Sequence, residues 1–248
     1  MFFHKKNKEI TLHCYTSNSI AFDFFKIKEA KHFWPDWWKK LPKSISHNEI
    51  PYGTMKTCDG FLRLYKNSFI IPLWSDFDLQ LKYQEDKIIN YKWLFADGMS
   101  NAVSHPPNQW EGFLPHALHL KLVNPWMFSC EEEVNFLLMA PFWNHKETTN
   151  FQICPGVVEF KYQSHLHLNS FIIPDSGDSH YQFSAGTPIA QVIPLTERPL
   201  KFEFHYSTKE EIHKYHHKTY GVSFFINNYQ RLKSLLKEQD QKCPLHKR

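Results

Sequence analysis

Short apolar runs, many alternating with polar residues and cut by Pro, Gly, Asn or Ser, recur along the chain from Ile10 to Tyr206. ITLHCY, KIINYKWLF, ALHLKLVN, EVNFLLMAPFW, LHLNSFIIP, IAQVIPL and KFEFHY each read as a strand, and so does IAFDFF after the turn-like TSNS. SFIIPLWSDFDLQLKY reads as one longer strand. Its second part sets Phe77, Leu79 and Leu81 on one face and Asp76, Asp78 and Gln80 on the other. Runs of this length and period make a mainly β, predominantly antiparallel protein the expected class. ADGMSNAVSHPPNQWEG is too long for a tight hairpin, while PDSGDS, with Asp175 and Asp178, reads as a turn.

Helix signals lie towards the two ends. In FWPDWWKKLPK, Pro35 suits a first helical turn and Pro42 ends it. Trp34, Trp37 and Trp38 then either pin this short helix to the core or form a platform for a carbohydrate or a base. TCDGFLRLYKN reads as a second short helix, with Asp59 as N-cap and Phe61, Leu62 and Tyr65 on a common side. After Ser207 the pattern changes. Thr208 and Glu211 form a capping box, Gly221 interrupts the helical segment, and Phe225, Tyr229, Leu232 and Leu236 recur at helical spacing. That stripe needs cover from the chain's own core or from a neighbouring subunit. The expected organisation is a β-rich domain over 1–207 with a helical appendage, 208–248, packed on it.

Composition narrows the partners. Aromatic residues make up 17% of the chain, with Phe 22 and Trp 8, so a large core built mainly of rings is expected. The net charge of +4 is spread along the chain instead of forming a block, which argues against a nucleic-acid footprint. Five cysteines, Cys14, Cys58, Cys130, Cys154 and Cys243, form no CxxC pair and fit a reducing cytoplasm better than a disulfide scaffold or a zinc knot. MFFHKKNKEI has no apolar signal region, and no later run approaches the ~20 apolar residues of a membrane span. A soluble, unprocessed cytoplasmic protein is the expectation.

CPGVVEFKY, from Cys154, and AGTPIAQVI, from Ala185, stand apart with strand-forming sequence between them. Their order and spacing resemble the dUTPase and dCTP deaminase superfamily. That family has a β-clip fold, with a Gly-Val-Ile-Asp-x-x-Tyr segment followed by a Gly-x-x-Ile-Ala-Gln strand. Gly156, Val157, Val158, Glu159 and Tyr162 match the first, and Gly186, Ile189, Ala190 and Gln191 match the second; SDFDL, with Asp76 and Asp78, is similar to the family's first motif. The resemblance, over about 69–195, implies an antiparallel β-clip or jelly-roll-like core. It also implies a site in which Glu159 supplies the acidic group, Tyr162 faces a nucleoside, and Asp76, Asp78 and Gln191 contribute. Where the family has a phosphate-binding Arg-Ser-Ser, this chain has APFWNHK, and the Gly-rich C-terminal arm is replaced by the helical segment. Lys161 stands close enough to Glu159 to neutralise it. Over most of its length the chain also resembles a family of proteins carried by marine bacteriophages, in CDGFLRLYKNSFIIPLWSD, NPWMF, PGVVEF and AGTPIAQVIPL. That resemblance implies a phage-encoded protein in an infected host cell and supplies no activity.

The stretch SAGTPIAQVIPL reads first as a fold motif. Gly186 permits a tight entry, Pro188 occupies a first strand position, and Ile189 and Val192 pack inward. Gln191, if buried, needs a partner for its amide, for which a neighbouring backbone is expected. Among the 16 histidines, His165 and His167 would share a strand face and His180 precedes the next strand. With Glu159 these would suit the facial iron site of a cupin-like oxygenase. His213, His216 and His217 read as solvated or pH-sensitive, and Glu131, Glu132 and Glu133 as a polar turn. No Gly-rich phosphate loop, GxSxG elbow or HExxH occurs. Three functional readings therefore stand: a β-clip-like module that binds a small-molecule or nucleotide ligand or assembles into a homo-oligomer, an iron and 2-oxoglutarate type oxygenase, and a dUTPase-like nucleotide hydrolase. No catalytic residue, cofactor or metal ligand is assigned.

Overall fold

A computed structural model describes residues 9–85, 87–110, 113–114, 116–147, 150–174, 177–212, 233–234 and 237. In chain order the first elements are β1 (Ile10–Thr16), α1 (Ser19–Asp23), β2 (Lys28–Glu29), α2 (Asp36–Lys40), β3 (Ser44–His47), β4 (Ile50–Gly53), α3 (Asp59–Lys66), β5 (Phe69–Pro72), β6 (Phe77–Gln84) and β7 (Lys87–Phe95). They are followed by β8 (Ala102–Ser104), β9 (Leu118–Leu122), β10 (Met127–Ser129), β11 (Asn135–Met139), β12 (Phe151–Ile153), β13 (Gly156–Glu159), β14 (Leu168–Ile172), β15 (Ser179–Phe183), β16 (Pro188–Pro194) and β17 (Leu200–Tyr206). Short 3-10 turns stand at Ala30–Phe33, Met55–Thr57, Pro107–Trp110 and Phe142–Glu147. The protein is mainly β, as its periodicity implies.

The sheets run in the orders β10-β1-β17, β13-β11-β16-β5-β2, β12-β14-β9-β8 and β15-β6-β7, with β3-β4 a separate hairpin. Pairing is antiparallel except between β1 and β17, which are parallel in register from Ile10↔Leu200 to Thr16↔Tyr206. The two motif strands β13 and β16 belong to one sheet, each pairing with an opposite edge of β11. One large core receives the alternate side chains of these sheets, including Leu12, Phe77, Leu79, Leu81, Leu120, Phe136 and Val192. Each such side chain, once fully buried, contributes roughly 1.5–3 kcal/mol, which outweighs any single polar contact on the reverse face. A second cluster, Ala30, Phe61, Tyr65 and Ile70, is covered by Phe33, Trp34, Trp38 and Trp143.

Several local expectations change. IAFDFF is helix α1 and not a strand, because the Asn18 side chain accepts the Ala21 N–H at 2.9 Å and caps the first turn. SFIIPLWSDFDLQLKY is two strands in two sheets, broken at Trp74 and Ser75, both buried, with the Trp74 indole donating to Ser100 Oγ at 2.7 Å. Asp59 is the first helical residue, not the cap, and pairs with Arg63 one turn on at 2.8 Å; Cys58 holds the cap position. The long connection after β7 contains β8 and a 3-10 turn.

Other readings hold. Pro35 precedes α2, and Phe77, Leu79 and Leu81 are buried while Asp78 and Gln80 face out. The capping box closes reciprocally: Thr208 N–H donates to Glu211 Oε2 at 2.8 Å and Glu211 N–H to Thr208 Oγ1 at 3.2 Å. Asp175, His213, His216, His217, Gly221, Phe225, Tyr229, Leu232, Leu236 and Cys243 lie outside the described residues. Among the described residues no helix is long and apolar enough to cross a membrane.

Candidate functional site

The five residues singled out by resemblance occupy three different surroundings. Asp76 and Asp78 border one hollow of about 270 Å³, between the start of β6 and the end of β15. Asp78 Oδ2 takes hydrogen bonds from His180 at 2.5 Å and from the Gln182 amide at 3.1 Å. The His180 bond, with help from Gln182 and Gln80, holds the Asp78 carboxyl below its ordinary range. Asp76 Oδ1 accepts the Ala185 N–H at 2.7 Å, tying down the turn that leads into Gly186. Both carboxylates thus stitch β6 to β15 and its exit.

Glu159 ends β13 and is buried, with Oε2 2.6 Å from Lys233 Nζ. Tyr162 donates its hydroxyl to Glu133 at 2.6 Å, and Lys233 lies 5.3 Å from the centre of its ring. Lys161 sits 3.9 Å from Glu133, while Lys237 is 3.1 Å from that carboxylate. The bonds from Tyr162 and Lys237 hold Glu133 below the usual carboxylate range. Lys233 is thus an ion-pair partner of Glu159, while Lys161 reaches Glu133. Lys233 and Lys237, both helical, reach two acids, Glu159 and Glu133.

Gln191 lies in the middle of the five-stranded sheet and is 1% exposed. Its amide donates to Ser68 Oγ at 2.8 Å, and Ser68 donates in turn to the Leu64 carbonyl. A side chain on the helix-to-strand link takes the role expected of a backbone.

The proposed histidine set does not converge: His180 is engaged with Asp78, and Glu159 with Lys233. His165 and His167 stack at 5.8 Å between ring centres, but they precede β14 and do not share a strand; His165 forms an isolated bridge with Met127. Among the described residues, His13, Glu203 and His205 form the group whose potential ligand atoms all lie within 4.8 Å of one another.

A larger concavity lies elsewhere, a groove of about 970 Å³ between α2 and the 3-10 turn Phe142–Glu147. Trp34 forms its inner wall, stacked on Trp38 at 4.2 Å and on Tyr65 at 4.5 Å. Trp37 and Phe142 stand at the opening with 42% and 58% of their surfaces exposed, far above the usual burial of such rings. The groove is braced by specific bonds. The Trp37 indole donates to the Trp143 carbonyl at 3.1 Å, Tyr65 donates to Asn144 Oδ1 at 2.6 Å, and the Asn144 amide donates to the Phe33 carbonyl at 2.9 Å. Lys56 closes the end of α2 by donating to the Trp38 and Lys39 carbonyls at 3.1 and 3.0 Å, with its ammonium 4.1 Å from the Trp38 ring centre.

Burial raises the Tyr65 hydroxyl well above its ordinary range and keeps it a neutral donor. At the rim Asp36 is paired with Lys39 at 2.9 Å, which holds its carboxyl below the ordinary value, and His32 and Lys40 complete the polar edge. Trp34 and Trp38 pack against the second cluster, and Trp34 and Trp37 both line the groove. Phe142 and Trp143 carried no site signal of their own, because the link between residues 33–37 and 142–144 is tertiary. No family model matches the chain, and no curated protein matches it.

Proposed function

We propose that the protein is a β-clip-like ligand-binding module of phage type whose ligand is a neutral, ring-bearing small molecule, a saccharide in the first instance, held in the aromatic groove. The observation that carries this reading is the pair of exposed rings, Trp37 and Phe142, held at the mouth of a braced groove. An apolar wall with a few polar groups at its edge suits a ligand with one apolar face and a hydroxylated rim. At the rim Asp36 and Lys39 offset each other, and Lys40 leaves about one net positive charge. The superfamily resemblance is supported by the membership of β13 and β16 in one sheet. Where that family binds phosphate, this chain has Phe142 and Trp143, which favours binding over nucleotide hydrolysis.

Titration of intrinsic tryptophan fluorescence with neutral oligosaccharides, and with nucleosides in parallel, tests the reading. Saturable quenching that Trp37→Ala abolishes is expected, with circular dichroism of the variant checking that the fold is kept. Quenching unaffected by Trp37→Ala, or none with any sugar, removes the saccharide reading.

A second reading, self-assembly, is favoured by the β3–β4 hairpin, which presents Ile45, Ile50 and Tyr52 to solvent about half exposed, and by the edge strand β7 with exposed Ile89 and Leu94. Native mass spectrometry decides it: a homo-oligomer that Ile45→Lys dissociates is expected, and a strict monomer excludes it.

A further inference from the structure

β1 and β17 are alternating strands whose inner residues, Leu12, Cys14, Phe202 and Phe204, pack in or against the core. Their outer residues therefore stand on a rigid base. Parallel register sets His13 directly beside Glu203, and Tyr15 beside His205. His13 Nδ1 is 3.1 Å from His205 Nε2 and 3.4 Å from Glu203 Oε2. Donor separations of this size subtend roughly 100–110° at an ion with bonds of about 2.0–2.1 Å, between octahedral and tetrahedral values.

The surroundings hold the three groups in position. Tyr15 stacks on His205 at 4.6 Å and fixes its plane, and Lys201 holds Glu203 Oε1 at 2.8 Å, leaving Oε2 turned to His13. Side-chain exposures of 26% for His13 and 36% for Glu203 leave the outer side open to water as additional ligands.

We infer that His13, Glu203 and His205 form a binding site for a divalent first-row transition cation, Zn²⁺ foremost, with open coordination positions facing solvent. Two imidazoles and one carboxylate select such ions over Mg²⁺ and Ca²⁺, which prefer oxygen alone. In the ion-free protein one imidazole N–H donates to the other ring across the 3.1 Å contact. On metal binding that proton passes to the other nitrogen of its own ring, and both facing nitrogens present lone pairs to the ion.

The test is Zn²⁺ titration of the chelator-stripped full-length protein by calorimetry, with X-ray absorption of the zinc-loaded form. One equivalent is expected at micromolar or tighter affinity, with two imidazoles in the ligand sphere. His13→Gln and His205→Gln each weaken binding at least tenfold, and Glu203→Gln weakens it less. Zinc raises the thermal midpoint of the unmodified chain and of the His165→Gln control, but not of the two ligand variants. No binding by the unmodified protein, undiminished binding by the His13→Gln/His205→Gln double variant, or a sulfur-dominated ligand sphere overturns the site. The spectroscopic arm stands even if a variant folds poorly.

Discussion

Ser68 and Gln191, 123 positions apart, share a hydrogen bond of 2.8 Å in the interior, with the amide as donor. Through Ser68 the bond continues to the Leu64 carbonyl in the last turn of α3, so the motif strand and the helix are fastened at one point. Gln191→Met leaves Ser68 buried without its amide donor and is expected to cost about 1–3 kcal/mol in urea denaturation, with Ser68→Ala similar. The double variant costs less than the sum, since the two share one bond.

Two glycines are expected to respond to alanine with opposite signs. Gly186 has φ +87°, and an added Cβ meets only the Phe25 ring at an ordinary 3.5 Å, so the cost is in the backbone and amounts to about 1–2 kcal/mol. Gly60 lies in α3 with open space around its Cα, so Gly60→Ala stabilises by roughly 0.5–1 kcal/mol. Thermal unfolding of both variants against the parent checks the pair.

His119 carries a pH dependence of known sign. It stacks on Phe171 at 4.9 Å beneath Trp110; burial, then His105 and Lys121, hold its pKa below the ordinary value. The folded state therefore binds this proton less well than the unfolded chain. The resulting stability is complete above about pH 6.5 and is lost as pH falls from there through the folded value. Denaturation midpoints from pH 8 to 5 should decline more steeply for the parent than for His119→Phe.

Removing the ammonium from Lys233 takes an ion-pair partner from a carboxylate that is 5% exposed. Lys233→Met is expected to destabilise by about 1–3 kcal/mol, less than for a fully buried pair because Lys233 is partly solvated. Limited proteolysis supplies the local readout: cleavage after Tyr206 accelerates in Lys233→Met, and Glu159→Gln partly restores protection.

What the sequence made legible was local. Period-two alternation identified β6, β9 and β17, and the reciprocal bonds of Thr208 and Glu211 were readable from their spacing. IAFDFF is helical because an asparagine cap outweighs a strand-like composition. Asp76 and Asp78 line one hollow, whereas Glu159 and Tyr162 have partners at Lys233 and Glu133 that no local pattern marks. The aromatic groove and the His13–Glu203–His205 group join segments more than 100 and about 190 residues apart, a separation at which periodicity carries no information.

The parallel seam between the first and last strands of the sheet β10-β1-β17 also bears on how the molecule is made. At about 5–20 residues per second, a ribosome needs roughly 10–40 s after delivering Ile10 to deliver the partner that seals its edge. Until then the nascent chain carries an unzipped strand, and its exposure to chaperones and to sticky neighbours is set by translation speed.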